Sequence, residues 1–138
     1  MSTDESTDVP FPELPKGAGP IDQAAAKGFA QTKSGLKYRV LRQGTGATPK
    51  ASNSVRVHYH GWLDNGKVFD SSYRRNEDIS FGLNQVISGW TEGMQLVGAG
   101  GMIELLIPSD LGYGNRGAPP DIPAKATLHF LVELLAVK

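Results

Sequence analysis

The sequence predicts an α+β domain in which several antiparallel strands carry one short helix over one sheet face. Three observations point there. Short segments alternate apolar and polar residues with the period of two expected of half-buried strands. Only residues 89–97 set apolar side chains at helical spacing, with Trp90, Met94 and Val97 on one side. Finally, 17 Gly and 9 Pro among 138 residues supply the turns that such a fold needs.

Taken in order, residues 1–30 hold five acids, two lysines and four prolines. That leaves −3 on this stretch, and its few large apolar side chains bury too little to offset ordering. A flexible acidic tail is therefore expected over residues 1–33, disordered to about Pro20, ahead of one domain spanning 34–138. Residues 21–29 offer at most a helical turn. Leu36, Tyr38 and Val40 then alternate with Lys37, Arg39 and Leu41 as a half-buried strand. Val55, Val57, Tyr59 and Gly61 form the next, running into Asp64-Asn65-Gly66, a hairpin signal because Asn-Gly accepts positive φ. Lys67 to Asp70 return from it, and Ile79-Ser80-Phe81 reads as another short strand. After the helix and its Gly98-Ala99-Gly100-Gly101 stop, residues 102–107 and 126–137 are long apolar strands joined by a Gly- and Pro-rich loop.

Composition excludes whole classes of function. Fourteen Lys and Arg balance fourteen Asp and Glu, so the basic excess of a nucleic-acid binder is missing. With no cysteine, there are no disulfides, thiolate metal sites or thiol nucleophiles. No apolar run approaches a membrane span, and Met1-Ser2-Thr3-Asp4-Glu5 does not read as a secretory leader. These features give the expectation of a soluble cytoplasmic protein without cofactor.

Most catalytic motifs fail. Gly61 to Lys67 spells the first seven positions of a phosphate-binding loop, but Val68 stands where the magnesium-binding hydroxyl belongs, on a hairpin. No Gly-x-Ser-x-Gly elbow is present. His58 and His60 share one strand face and His129 lies on another strand, so a three-histidine metal site is conceivable. The simpler expectation is that all three face outward, opposite Val57, Tyr59 and Phe130. Arg74-Arg75 reads as a solvated loop or an ion pair. The aromatics Tyr59, Phe69, Phe81, Trp90, Tyr113 and Phe130 come from different elements. They fit a plain core, and equally an apolar pocket whose phenols, indole and Asp70 converge.

The motifs resolve this. Val57-His58-Tyr59-His60-Gly61 with Gly66-Lys67-Val68-Phe69-Asp70-Ser71-Ser72, then Val86-Ile87-Ser88-Gly89-Trp90, resembles the FKBP-type peptidyl-prolyl cis–trans isomerases. So do Ile107-Pro108, Tyr113-Gly114 and Ile122-Pro123-Ala124-Lys125-Ala126-Thr127-Leu128-His129-Phe130. The resemblance implies a five- or six-stranded antiparallel sheet wrapped around one short helix, with the active site between them. It implies catalytic positions at Tyr59, Asp70, Trp90, Tyr113 and Phe130, and substrate contacts at Phe69, Arg75, Ile79, Phe81, Val86, Ile87 and Ile122. In that picture Trp90 is the floor under a proline ring, and Tyr59 and Arg75 hold Asp70. The Ile87 N–H and the Tyr113 hydroxyl bind the peptide. Proline-containing polypeptides would be the partners and macrolides the inhibitors.

Three departures bear on preference and macrolide affinity rather than on the reaction. Ile79 replaces a common pocket phenylalanine, one residue is missing before Gln85-Val86, and Gly112 stands where alanine is common. Residues 1–30 do not resemble the long dimerisation helix of some members, which favours a monomer. The alternatives are a non-catalytic peptide-binding or chaperone module of the same fold, or a metal-binding accessory protein using the three histidines.

Overall fold

The structure, a computed structural model, describes residues 9–138. Its strands are β1 (Ala30–Gln31), β2 (Lys37–Arg42), β3 (Ser54–Leu63), β4 (Val68–Ser71), β5 (Ile79–Gly82), β6 (Met102–Ile107) and β7 (Leu128–Val137). Two helices interrupt them, the single turn α1 (Ser72–Arg75) and α2 (Ser88–Gly93). All pairings are antiparallel, in the order β1-β2-β6-β7-β3-β4, with β5 also on β3. The two-residue β1 makes this sheet one strand larger than the five or six expected. No helix among the described residues is long and apolar enough to cross a membrane.

The β3–β4 hairpin turns where Asn65-Gly66 was expected to turn it. Gly66 sits at φ 87°, and the Asn65 side chain accepts the Lys67 N–H at 2.9 Å. In β3, Val55, Val57, Tyr59 and Leu63 face one side. Leu128, Phe130, Val132 and Leu134 of β7 face the same way, as do Ile103, Leu105 and Ile107 of β6. Period-two alternation thus collects the core on the concave face.

Helix α2 is shorter than the 89–97 spacing suggests. It ends at Gly93 and tightens into a 3₁₀ turn over Met94–Leu96. Val97 is extended at φ −140° and fully buried, so the tightening delivers it to the core. Gly89 and Gly93, four apart and hence on one helix face, let α2 lie against β6. A Cβ on Gly89 would come within 2.7 Å of Ile107, and one on Gly93 within 2.6 Å of Leu105. This close approach presses Trp90 into the concavity.

The convex face departs from expectation. Residues 9–31, expected within a flexible tail, lie across it as a strap; residues 1–8 of that tail fall outside the described residues. Leu14, Ala18, Ile21 and Ala25 cover Leu41, Met102 and Leu131, all fully buried. At the centre is Arg39, only 1 % exposed. Its five N–H groups are all taken: Nε and Nη2 donate to Glu104 at 2.9 and 2.7 Å, Nη1 to the Val9 and Lys27 carbonyls, Nη2 to that of Pro10. The guanidinium carbon lies 4.8 Å from the Phe11 ring centre and 4.6 Å from that of Phe29, within cation–π range. Composition missed this because the strap's few apolar side chains are held down by carbonyls gathered around one buried cation, a pairing with no local signature in the sequence. Accordingly Arg39 and Leu41, read as the solvent side of a half-buried strand, are buried like their neighbours.

Candidate active site

Between α2 and the concave face opens a pocket of about 490 Å³, within the usual range for small-ligand sites. Trp90 is its hub. Its ring centre lies 5.2 Å from Phe130 at an interplanar angle of 90°, 5.4 Å from Tyr59 at 82°, and 5.3 Å from Phe81 at 58°. Phe69 continues the wall, edge-on to Phe130 at 5.4 Å. The edge-to-face contacts suit the ring quadrupoles. They fit only because Gly61 lies beneath: a Cβ there would stand 2.6 Å from Phe69 and 2.7 Å from Phe130.

Trp90 is 5 % exposed and part of the main core cluster. Core and pocket floor are therefore not rival readings of the aromatics, since the same rings serve both. Ile79 and Tyr113, at 40 % and 42 % exposure, stand at the rim. The Tyr113 carbonyl accepts the Gly117 N–H at 3.0 Å and the neighbouring Gly114 N–H reaches Ser109 at 2.7 Å, which ties down the loop bearing the phenol. Val86 and Ile87 line the opposite lip at the entry to α2. The Ile87 carbonyl receives the Trp90 and Thr91 N–H groups, while its own N–H meets no acceptor among the described residues.

Polarity enters at one corner. The Tyr59 hydroxyl and the Arg75 Nη1 both donate to Asp70, and Arg75 Nη2 also reaches the Tyr59 oxygen at 3.1 Å. Burial alone would raise the Asp70 pKa. The hydrogen bonds from Tyr59 and Arg75, the guanidinium charge and the Ser71 N–H outweigh it and hold the carboxyl below its ordinary range. Burial, then the bond to Asp70, pushes the Tyr59 phenol up against the opposing pull of Arg75. The corner is thus an ionised carboxylate held beside the neutral Tyr59 phenol.

Ten of the twelve residues singled out from the sequence line the pocket. The other two serve differently. Arg75 grips Asp70 from outside. Ile122 is 5 % exposed in the core, where its N–H and carbonyl pair with Ala118 at 3.0 and 2.8 Å to fold the loop. Gln85 also lines the pocket and was missed; its one signal was adjacency to Val86. The histidines each have a protein partner on the outer side: His58 with Ser72 at 2.7 Å, His60 with Ser71 at 2.8 Å, His129 with Asp64 at 2.7 Å.

An antiparallel sheet curled over a short helix, with a ring-lined pocket at the helix entry, defines a class of protein, and sequence comparison gives its name. Residues 46–135 match the family described as FKBP-type peptidyl-prolyl cis–trans isomerase, and the chain belongs to that family. It is 51 % identical over 114 residues to a probable FKBP-type peptidyl-prolyl cis–trans isomerase of Haemophilus influenzae, covering 83 % of this chain and 47 % of the relative. The crystal structure of FkpA from Escherichia coli superposes with a TM-score of 0.79 at 50 % identity, over 82 % of this chain and 53 % of that one. A peptidyl-prolyl cis–trans isomerase from Pseudomonas syringae gives 0.74 at 39 % identity, covering 80 % of both chains. The chain spans about half the length of the curated relatives it matches.

Proposed function

We propose that this chain accelerates cis–trans isomerisation of X–Pro bonds in polypeptides. The observation that carries the reading is the Trp90 floor walled by Tyr59, Phe81 and Phe130, open on one side to a rim of Tyr113 and Ile79. Rotation about an X–Pro bond meets a barrier of ~18–20 kcal/mol because resonance keeps the amide planar. In the twisted transition state that resonance is lost, and with it part of the negative charge on the carbonyl oxygen. An apolar pocket solvates this less polar state better, relative to the planar amide, than water does. Binding that prefers the twisted form lowers the barrier, tenfold for every ~1.4 kcal/mol.

Each polar group has a task within this scheme. The unpartnered Ile87 N–H and the Tyr113 hydroxyl fix the peptide backbone. Asp70, held by Tyr59 and Arg75, sets the polar corner and needs no proton transfer. Macrolides of suitable apolar surface would compete for the same pocket, with the smaller Ile79 wall reducing their contact.

A protease-free isomerisation assay on peptides with varied residues before proline tests this. Trp90→Leu keeps its circular dichroism and loses at least tenfold in kcat/KM, since the ring floor disappears while much of the volume stays. Tyr113→Phe loses one hydrogen bond, roughly 2- to 12-fold. Wild-type protein no faster than solvent on all peptides would refute the reading. A folded Trp90→Leu variant with full activity would refute the assigned floor.

A further inference from the structure

The polar corner of the pocket depends on Arg75, and Arg75 stands on the single turn α1. Four residues cannot hold a helix by themselves, because nucleation costs more than one turn of hydrogen bonds returns. The turn has no side-chain cap at its start, and its first turn carries no acidic residue to complement the dipole. A left-handed cap at Asn76, whose N–H reaches the Ser72 and Tyr73 carbonyls, closes the turn, and side-chain anchors on the far side of the sheet from the pocket tie it down.

Two of them come from α1. Ser72 is fully buried, and its hydroxyl accepts the backbone N–H of Tyr59 at 2.7 Å while meeting His58 Nδ1 at 2.7 Å. Tyr73 stacks on the His58 ring at 4.7 Å, nearly parallel at 18°, and its hydroxyl donates to Glu133 Oε1 at 2.5 Å. Glu133, on β7 and 7 % exposed, is in turn held through Oε2 by Arg42 at 2.6 Å and by the strap's Gly19 N–H at 3.2 Å. A continuous set of bonds thus runs from the strap, through Glu133 and Tyr73, to the turn that presents Arg75.

We propose that Ser72, Tyr73 and Glu133 are positioning residues: from the convex face they fix the turn whose Arg75 holds Asp70 and Tyr59 in the pocket. None lines the pocket; Tyr73 and Glu133 act through Arg75, and Ser72 acts both through that turn and through the Tyr59 backbone it bonds. The claim rests on the isomerase reading only where it speaks of turnover. The geometry of the corner can be read without substrate.

The test is Tyr73→Phe, which removes the bond to Glu133 and keeps the stacked ring, with Ser72→Ala as a second variant. The control is Leu41→Val, a convex-face substitution of similar small cost to stability that touches neither α1 nor Glu133. The first readout is the titration of the Asp70 side-chain carboxyl by carbon-detected NMR. With Arg75 less well placed, the Asp70 midpoint moves up by roughly half a pH unit or more in both α1 variants. It stays put in Leu41→Val. The second readout is kcat/KM at a temperature where all variants are folded. It falls roughly 2- to 12-fold in Tyr73→Phe, the worth of one hydrogen bond, and less than twofold in the control. An unmoved Asp70 midpoint in both α1 variants overturns the proposal whatever the rates do. Equal shifts in the control also overturn it, because the effect would then be general loosening. If the wild-type chain shows no isomerase activity, the functional reading fails while the Asp70 titration still decides the positioning claim.

Discussion

On the concave face of the sheet Val57, Leu105, Phe130 and Val132 meet Trp90 and Met94, and the contacts are aliphatic or aromatic. On the convex face three ionisable side chains, Arg39, Glu104 and Glu133, are between 1 % and 7 % exposed and meet carbonyls, rings and each other. Both faces of β2, β6 and β7 are therefore covered, by different means. The concave side gains from apolar area removed from water, which is additive and tolerant of exchange. The convex side depends on complete pairing, since a buried charge that loses its partner is far more costly than one never buried. Damage of equal size should therefore be felt unequally.

The sharpest way to break this comparison is Arg39→Leu. It leaves Glu104 buried without its cation and strips the Val9, Pro10 and Lys27 carbonyls of their donor. Burial already pushes the Glu104 carboxyl up, with the bonds and charge of Arg39 pulling it back in part. A loss of about 3–5 kcal/mol in urea unfolding is expected. Adding Glu104→Leu should restore only part of it, because the strap still lacks its anchor. A loss under ~1 kcal/mol for the single variant would mean that the buried pair is not what holds the strap.

Removing the strap itself comes next. Deleting residues 1–20 takes away Val9, Pro10 and Phe11 from Arg39, uncovers Leu41 and Met102, and removes Gly19 and Pro20 from Glu133 and Arg42. A fall in Tm on the order of 10 °C follows if ~3 kcal/mol is lost. Tyr73 and Arg42 still hold Glu133, so kcat/KM measured well below the new Tm changes little. An unchanged Tm would show that the convex face tolerates water and that the strap contributes nothing to the fold.

The same contrast explains what the sequence disclosed. Alternation of Val55, Val57 and Tyr59 and of Leu128, Phe130 and Val132 declares the concave face, because each strand's apolar set is local in sequence. The pocket was legible for a second reason: its motifs resemble a family. Arg39, Glu104 and Glu133 occupy the positions that alternation assigns to solvent, and their hydrogen-bond partners lie 12 to 65 residues away for Arg39 and Glu104 and 60 to 114 away for Glu133. Hints existed in Leu41, Met102 and Leu131, apolar on a face read as polar, and in Phe11, Leu14, Ile21 and Phe29 within the acidic stretch. Neither set announces the other. The turn α1 was missed because its order comes from Ser72 and Tyr73 reaching across the sheet, not from helical propensity.

The smallest effect expected is in pH, where the two faces should titrate apart. On the convex side burial, then the charge of Arg74, lowers the His60 pKa from its ordinary 6.5. The unfolded chain therefore takes up a proton below about pH 6.5 that the native state refuses until lower pH, so stability declines as pH falls through that window. His60 is partly open to solvent, and screening keeps the loss well under ~1 kcal/mol. On the concave side the Asp70 pKa is depressed below 3.8. Its contribution is complete above the unfolded carboxyl value and disappears only as pH falls through the lower folded one. Between pH 7.5 and 5 the urea midpoint should thus drift down slightly while the pocket keeps one protonation state. The drift should flatten in His60→Gln, a comparison that cancels any contribution from Glu104. Across pH 6–8 kcat/KM should be level, because Asp70 is ionised and Tyr59 neutral throughout. A limb near neutrality that survives His60→Gln would place a titrating group in the reaction itself, and solvation of the twisted amide would no longer suffice as the mechanism.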